Sequence, residues 1–270
     1  MDLTVSPAGR RYGFKTSTFD HRDFGISHPA APAAISASEP SPHSDLEEFC
    51  GPVADQGSEG SCTAHAGKGS NEFLYRKYAV FALVKPAAPP VFSAAFLYYM
   101  ERQIDGTLAD GDCGSTGRSS VSVLNRNGVC LEADMPYTAG SFSTAPNAEQ
   151  LAGAEKFLAG AYHALSFPDF RSCLSSGYVF LIGFAVYESF ENDVNGSGLM
   201  PMPDVSKEKM LGYHEVLVIG HDDSAQRLKV RNSWGPGWGA SGDFFMPYAF
   251  AAAPGMILEA RMQHLNRAWK

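Results

Sequence analysis

Asp55–Ala64 reads DQGSEGSCTA. Two glycine-serine pairs break the chain, and a single cysteine then opens a run with helical spacing. Small residues fill the first turns of that run (Ala64, Ala66, Gly67, Gly69 and Ser70), and Phe73, Leu74 and Tyr78 follow. Two glycines in a helix cost roughly 1 kcal/mol each against alanine, so packing must compensate. This pattern predicts a central, buried helix from Cys62 to about Phe81, with Ser61 as its N-cap. A helix N-terminus carries partial positive charge, which favours thiolate over thiol. Cys62 therefore reads as a candidate nucleophile. Taken alone, it reads more simply as a small residue packed at a helix start.

A nucleophilic thiol needs a base and a group to orient it. His214, in GYHEV, is predicted to open a strand in the other half of the chain. From there it can point into a cleft or simply cap a strand end. Asn232, in RNSWGPGWG, falls at the end of the next strand. An amide oxygen there can accept the imidazole N–H and hold the ring toward the sulfur, although Asn232 could also be a turn residue. Gln56 precedes Cys62 by a short loop. Its amide can donate to a developing oxyanion, with the Cys62 backbone N–H as second donor, or it can be an exposed loop residue.

Around these residues the chain changes texture. Ser93–Ile104 and Gly117–Gly128 read as further helices, separated by a loop rich in Gly and Asp. Residues 146–175 carry weaker helical signals. Gly177–Tyr187 is an apolar strand, HEVLVIGHDD and RLKVRNSW form two more joined by a turn at Asp222–Gln226, and GDFFMPYAF follows. A helical first half and a β-rich second half predict an α+β fold of two lobes meeting at a cleft. The helical lobe is expected over about 44–145 plus a C-terminal return, and the β-rich lobe over about 146–250. Residues 1–43 form a separate extension, and its 29–42 stretch, rich in Pro, Ala and Ser, reads as an extended linker.

The 270 residues carry 21 Lys and Arg against 29 Asp and Glu, a net charge of −8. That balance, with no basic run, argues against nucleic acid as a partner. No apolar stretch approaches a membrane span, and the first residues lack the apolar core of a secretory signal. The compartment is left open between the cytoplasm and a non-standard export route. Five cysteines, at 50, 62, 113, 130 and 173, leave at least one without an intrachain partner, and none of their spacings fits a metal site. No cofactor is expected.

These residues resemble the papain-like cysteine peptidases. The glutamine-glycine and glycine-serine-cysteine pattern stands as Gln56, Gly57, Gly60, Ser61 and Cys62. The late block stands as Asn232, Ser233, Trp234, Gly235, Trp238 and Gly239, then Gly242 and Phe244. In that family the histidine and asparagine follow the cysteine by about 130–150 residues. His214 and Asn232 fall slightly beyond, as small insertions would produce. The resemblance covers about 44–262. It implies a helical left lobe built on the Cys62 helix and a β-barrel-like right lobe. It implies a peptidase, most simply an endopeptidase acting as a monomer on protein or peptide substrates. Cys62 would be nucleophile, His214 base and acid, Asn232 orienter and Gln56 oxyanion donor. Trp234 would shield the His214–Asn232 bond, or simply fill the core. Gly114 and Ser115 would contact substrate.

Several positions depart from the family pattern. Glu59 stands where a cysteine usually pairs with the counterpart of Cys113, so that bridge cannot form. Thr63 replaces an aromatic, which predicts looser packing beside the sulfur. Glu215 replaces a small residue and is either a selector for basic substrate side chains or an outward-facing carboxylate. A short N-terminal segment resembles the bacterial branch. It predicts an inhibitory prosegment in the cleft, with Tyr12, Phe14 and Phe19 filling pockets; a disordered tail is the alternative. A thiol acyltransferase or deamidase, or a non-catalytic binding homologue, would use the same scaffold.

Overall fold

The computed structural model describes residues 5–21, 23–35, 39–81, 89–194 and 196–265. Cys62–Phe81 form the central helix α1. It lies against α2 (Ala94–Asp105) and α3 (Gly117–Arg126) on one side and the sheet on the other. The small residues allow this: a Cβ on Gly67 would sit 2.1 Å from Ser120 Oγ of α3, so only glycine fits the helix crossing. Ser93 caps α2 by accepting from Phe96 N at 3.0 Å, and Thr116 caps α3 by accepting from Ser119 N at 3.1 Å. Phe92, Phe96, Leu97, Tyr98, Val123 and Leu124 form the core of this helical lobe.

The second lobe is antiparallel. Its strands are β4 (Tyr162–Ala164), β5 (Phe180–Tyr187), β6 (Met210–Asp222), β7 (Arg227–Arg231), β8 (Asp243–Pro247) and β9 (Ile257–Gln263). They stand in the order β4–β9–β5–β6–β7–β8. The weaker signals between 146 and 175 resolve into α4 (Ala148–Ala154), β4 and α5 (Phe170–Ser175). β6 starts at Met210, so His214 lies inside the strand opposite Phe184 of β5, not at its opening. β6 is buried on both faces from His214 to His221, because the far side of the sheet is covered as well as the side under α1. β9 was hidden in the sequence by Glu259, Arg261 and Gln263, polar or charged residues inside a strand whose other positions are apolar.

The N-terminal residues are docked onto this body. Phe14–Lys15 form β1, which pairs in parallel with β3 (Ser115–Thr116) just ahead of α3. Asp23 and Phe24 reach the lobe junction and β4, where Ala164 N donates to Phe24 O at 2.9 Å. The expected linker at 29–42 is mostly exposed where it is described, with Ile35 as a buried anchor; residues 36–38 lie outside the described residues. Ile35 is 2% exposed and belongs to the core of the sheet lobe. His43–Asp45 form β2, which pairs with the end of β6.

Ile35→Ala is expected to destabilise the whole chain by about 2–5 kcal/mol, the usual cost of emptying a core isoleucine site. Urea denaturation should show a lower midpoint with an unchanged m-value.

Candidate active site

Cys62 is the first residue of α1 and its side chain is fully buried. The loop before it is fixed to the other lobe. Gln56 N donates to Ser233 O at 2.9 Å, and Gly235 N donates to Ala54 O at 2.9 Å. Gln56 Oε1 accepts from Ser233 Oγ at 2.6 Å and its Nε2 donates to Glu59 O at 2.8 Å. With the oxygen engaged by Ser233, the amide nitrogen is the end turned toward the cysteine loop. Ser61 shows its carbonyl to His65 N at 3.1 Å, while its hydroxyl meets Tyr137 Oη at 2.7 Å.

His214 and Asn232 are brought together by the β6–β7 hairpin. His214 Nε2 donates to Asn232 Oδ1 at 2.8 Å, which leaves Nδ1 as the nitrogen with no partner among the described residues. Ser233 N donates to the same Oδ1 at 2.8 Å and fixes the amide. Trp234 stacks on the imidazole, with centroids 5.0 Å apart and planes at 26°. The next residue along β6, Glu215, turns its backbone N–H toward the Cys62 sulfur, as does Gly13. Burial pushes the Cys62 thiol up to about 12 against the pull of those N–H groups. Burial likewise pushes His214 down to about 4, against the support of Asn232.

The N-terminal segment adds to this burial. Gly13 threads a slot between Gly60 and Gly114: a Cβ on Gly13 would sit 1.7 Å from Gly60 O, and one on Gly114 would sit 2.0 Å from Gly13 O. Ser115 N donates to Gly13 O at 2.9 Å. On one side of the slot Tyr12 packs its ring edge against His214 at 6.0 Å and bonds Glu191, and the Arg10 guanidinium lies 3.8 Å over Trp234. On the other side the buried Phe14 ring rests on Gly183 of β5. Phe19 fills no pocket; it is 94% exposed. Gly13 and Arg10 were missed in the sequence, although a glycine between two aromatics, in RYGF, was the available signal.

Two departures from the family pattern have structural substitutes. Glu59 Oε1 accepts from Gly140 N at 2.5 Å, a non-covalent tie for the cysteine loop, and all five cysteines are free. Thr63 does not loosen the packing; its buried hydroxyl donates to Glu101 Oε2 of α2 at 2.6 Å. Glu215 faces inward and is 1% exposed with the segment in place. Its carboxyl lies at the lobe junction with Glu259 and Glu101, and burial followed by those neighbours pushes it well above the usual carboxylate range. With the segment in place the Glu215 carboxyl is enclosed and does not face outward.

The papain family cysteine protease model matches residues 43–252. The chain belongs to that family. An uncharacterized peptidase C1-like protein of Acanthamoeba polyphaga mimivirus is 33% identical over 211 residues, 73% of this chain and 65% of that protein. Gamete and mating-type specific protein A of Dictyostelium discoideum is 27% identical over 73% of this chain and 40% of its own length. The chain thus spans less than two thirds of these curated relatives. Among solved structures, xylellain, a cysteine protease from Xylella fastidiosa, superposes with a TM-score of 0.84 at 28% identity and covers 99% of each chain. A Carica candamarcensis cysteine protease, with a TM-score of 0.58 at 16% identity over 84% of this chain and 100% of its own, shares the fold. The papain-like chain is thus matched along its length, N-terminal residues included, by xylellain.

The buried carboxyls set a pH dependence of stability. Burial pushes Glu101 up to about 8 from an ordinary 4.5. Below 4.5 the carboxyl is neutral folded and unfolded, so it adds no penalty. Between 4.5 and 8 the unfolded state gains from ionisation while the folded state does not, and stability falls by roughly 1.4 kcal/mol per unit. Glu101→Gln is expected to flatten the fall in Tm between pH 5 and pH 8, read by thermal denaturation at each pH.

Proposed function

We propose that this papain-family chain hydrolyses internal peptide bonds through a thioester on Cys62, and that its N-terminal residues hold it inactive. The observation that carries the reading is Gly13, whose backbone occupies the slot against Cys62 with the neighbouring side chains seated on both sides. A channel that holds an extended chain through its middle suits an internal bond better than a chain end.

In the open enzyme, water reaches Cys62 and His214. The burial that disfavours charge on both is then relieved, and the proton can pass from sulfur to His214 Nδ1. The thiolate adds to the substrate carbonyl carbon. Gln56 Nε2 and the Cys62 N–H hold the oxyanion. His214 gives its proton to the leaving amine as the C–N bond breaks, leaving a thioester. Water, deprotonated by His214, then attacks the thioester, and the carboxylate leaves as the thiol reforms. Asn232 keeps the ring in the tautomer with Nε2–H, and Trp234 keeps water from that bond. Gly114 and Ser115 receive the substrate main chain where Gly13 now lies. Glu215 supports the junction and lends its N–H to the sulfur.

The same steps explain why the segment blocks and is not cut. The leaving amine takes its proton from His214, so substrate residues after the scissile bond extend toward His214 and Trp234. The segment places Arg10 and Tyr12 there and Phe14 on the opposite side. It therefore runs through the cleft in reverse, with its Gly13 carbonyl bonded to Ser115 instead of the oxyanion donors.

Cys62→Ala is expected to abolish turnover of a fluorogenic peptide, and Gln56→Ala to lower kcat by about 10²–10³-fold. Full activity in a folded Cys62→Ala protein would end this reading. New amino termini in the products distinguish hydrolysis from acyl transfer, and release of ammonia would mark a deamidase.

In the full-length chain, Gly13→Val cannot occupy the slot beside Gly60. It should raise the rate by on the order of tenfold or more as the open population grows. An unchanged rate in the folded variant would favour a segment with no inhibitory role. The point substitution is cleaner than deletion of residues 1–40, which would also remove Ile35 from the core.

A further inference from the structure

Beyond the slot, the segment makes an ionic contact that its blocking role does not require. Asp23 reaches two arginines from different lobes. Arg118, in the first turn of α3, sets Nε 3.2 and 3.1 Å from the two carboxylate oxygens and adds its Nη2. Arg261, on β9, donates from Nη2 at 3.1 Å. Arg261 is buried, and its Nε and Nη1 have no partner among the described residues. Its other carboxylate contact is Glu259 Oε2 at 3.2 Å, and Glu259 Oε1 also accepts from Gly117 N at 3.1 Å.

Two guanidinium groups are bonded here by two carboxylates, Asp23 and Glu259, with the Glu215 carboxyl also near Arg261. When the segment leaves, Asp23 leaves with it. Arg118 then keeps no carboxylate partner among the described residues. Guanidinium groups that converge from two directions favour a carboxylate over a neutral amide of the same shape.

The position along the cleft follows from β1 and β3. Phe14 stands opposite Ser115 and Lys15 opposite Thr116, so the arginine pair lies just beyond them, on the side away from His214 and Trp234. That is the acyl side of the scissile bond. At about 3.3 Å per extended residue, the Arg118 side chain meets roughly the third to fifth substrate residue before the bond.

We propose that Arg118 and Arg261 form a specificity subsite for an acidic substrate side chain, Asp or Glu, on the acyl side of the cleaved bond, and that Asp23 occupies it in the closed enzyme. This rests on the reading of the cleft as a peptide channel vacated by the segment.

The test is equilibrium binding, which does not depend on turnover. The full-length chain carrying Cys62→Ala, Gly13→Val and Asp23→Ala keeps the segment out of both the slot and the arginine pair. Fluorescent peptides carrying Asp at the third, fourth or fifth position before the bond are compared with their Asn counterparts by anisotropy. At one of these positions the Asp peptide is expected to bind on the order of tenfold more tightly, because a charge-assisted hydrogen bond replaces a neutral one. Arg118→Met should reduce that ratio to under about twofold, and Arg118→Lys should retain a several-fold preference through charge alone. Equal binding of Asp and Asn peptides at all three positions overturns the subsite and leaves the peptide-channel reading standing. A preference that Arg118→Met leaves undiminished also overturns it. If neither peptide binds, the channel reading fails as well.

Discussion

The hydrogen bond from His214 Nε2 to Asn232 Oδ1 decides which face of the imidazole is available for chemistry. It spends one ring nitrogen on the far side of the ring and leaves the other without a partner. The bond exists because β6 and β7 are joined by a tight turn and held in register, so residues distant from Cys62 in sequence arrive next to its helix. Ser233 links this arrangement to the opposite lobe through Gln56. One short run, Asn232–Trp234, therefore orients the His214 ring, holds the Gln56 amide and covers the bond between His214 and Asn232. A disturbance of the β6–β7 register would affect all three at once.

The junction between the lobes is built from unfavourable parts held by geometry. Glu215, Glu259 and Glu101 bring three carboxyl groups together beneath the cleft, with Arg261 as the nearby cation. Burying charge is costly, and such a cluster persists because its members are protonated, hydrogen-bonded or paired. Thr63 serves Glu101, and Gly117 with Ser17 serves Glu259. The N-terminal segment thus contributes polar partners to the junction as well as the backbone that fills the slot at Gly13.

Much of this was legible in the sequence, for identifiable reasons. The Cys62 helix announced itself through small residues at helical spacing, because a helix crossing others closely must carry them. The apolar strands β5 and β6 were legible because they are buried on both sides. β9 was not, since Glu259 and Arg261 broke its pattern and are tolerated only through partners distant in sequence. His214 read as a strand opener because the residues before it, Gly212 and Tyr213, resemble a turn; in the structure Gly212 continues β6 where Tyr12 presses against it. The seating of Tyr12 and Phe14 could be anticipated from hydrophobicity, whereas the exposure of Phe19 could not, because nothing local distinguishes the three aromatics. The ties made by Glu59 and Asp23 depend on chain returning from far away, which composition does not encode.

The placement of β9 between β4 and β5 has a consequence for biosynthesis. A strand made after all the other strands described here is inserted within the sheet, not added at its edge. Until Ile257–Gln263 have emerged, β4 has no neighbour in the sheet and one edge of β5 stands open. Cotranslational folding can pair β5 through β8 but cannot complete the sheet. The N-terminal residues, made before β9, are already present when the sheet is completed.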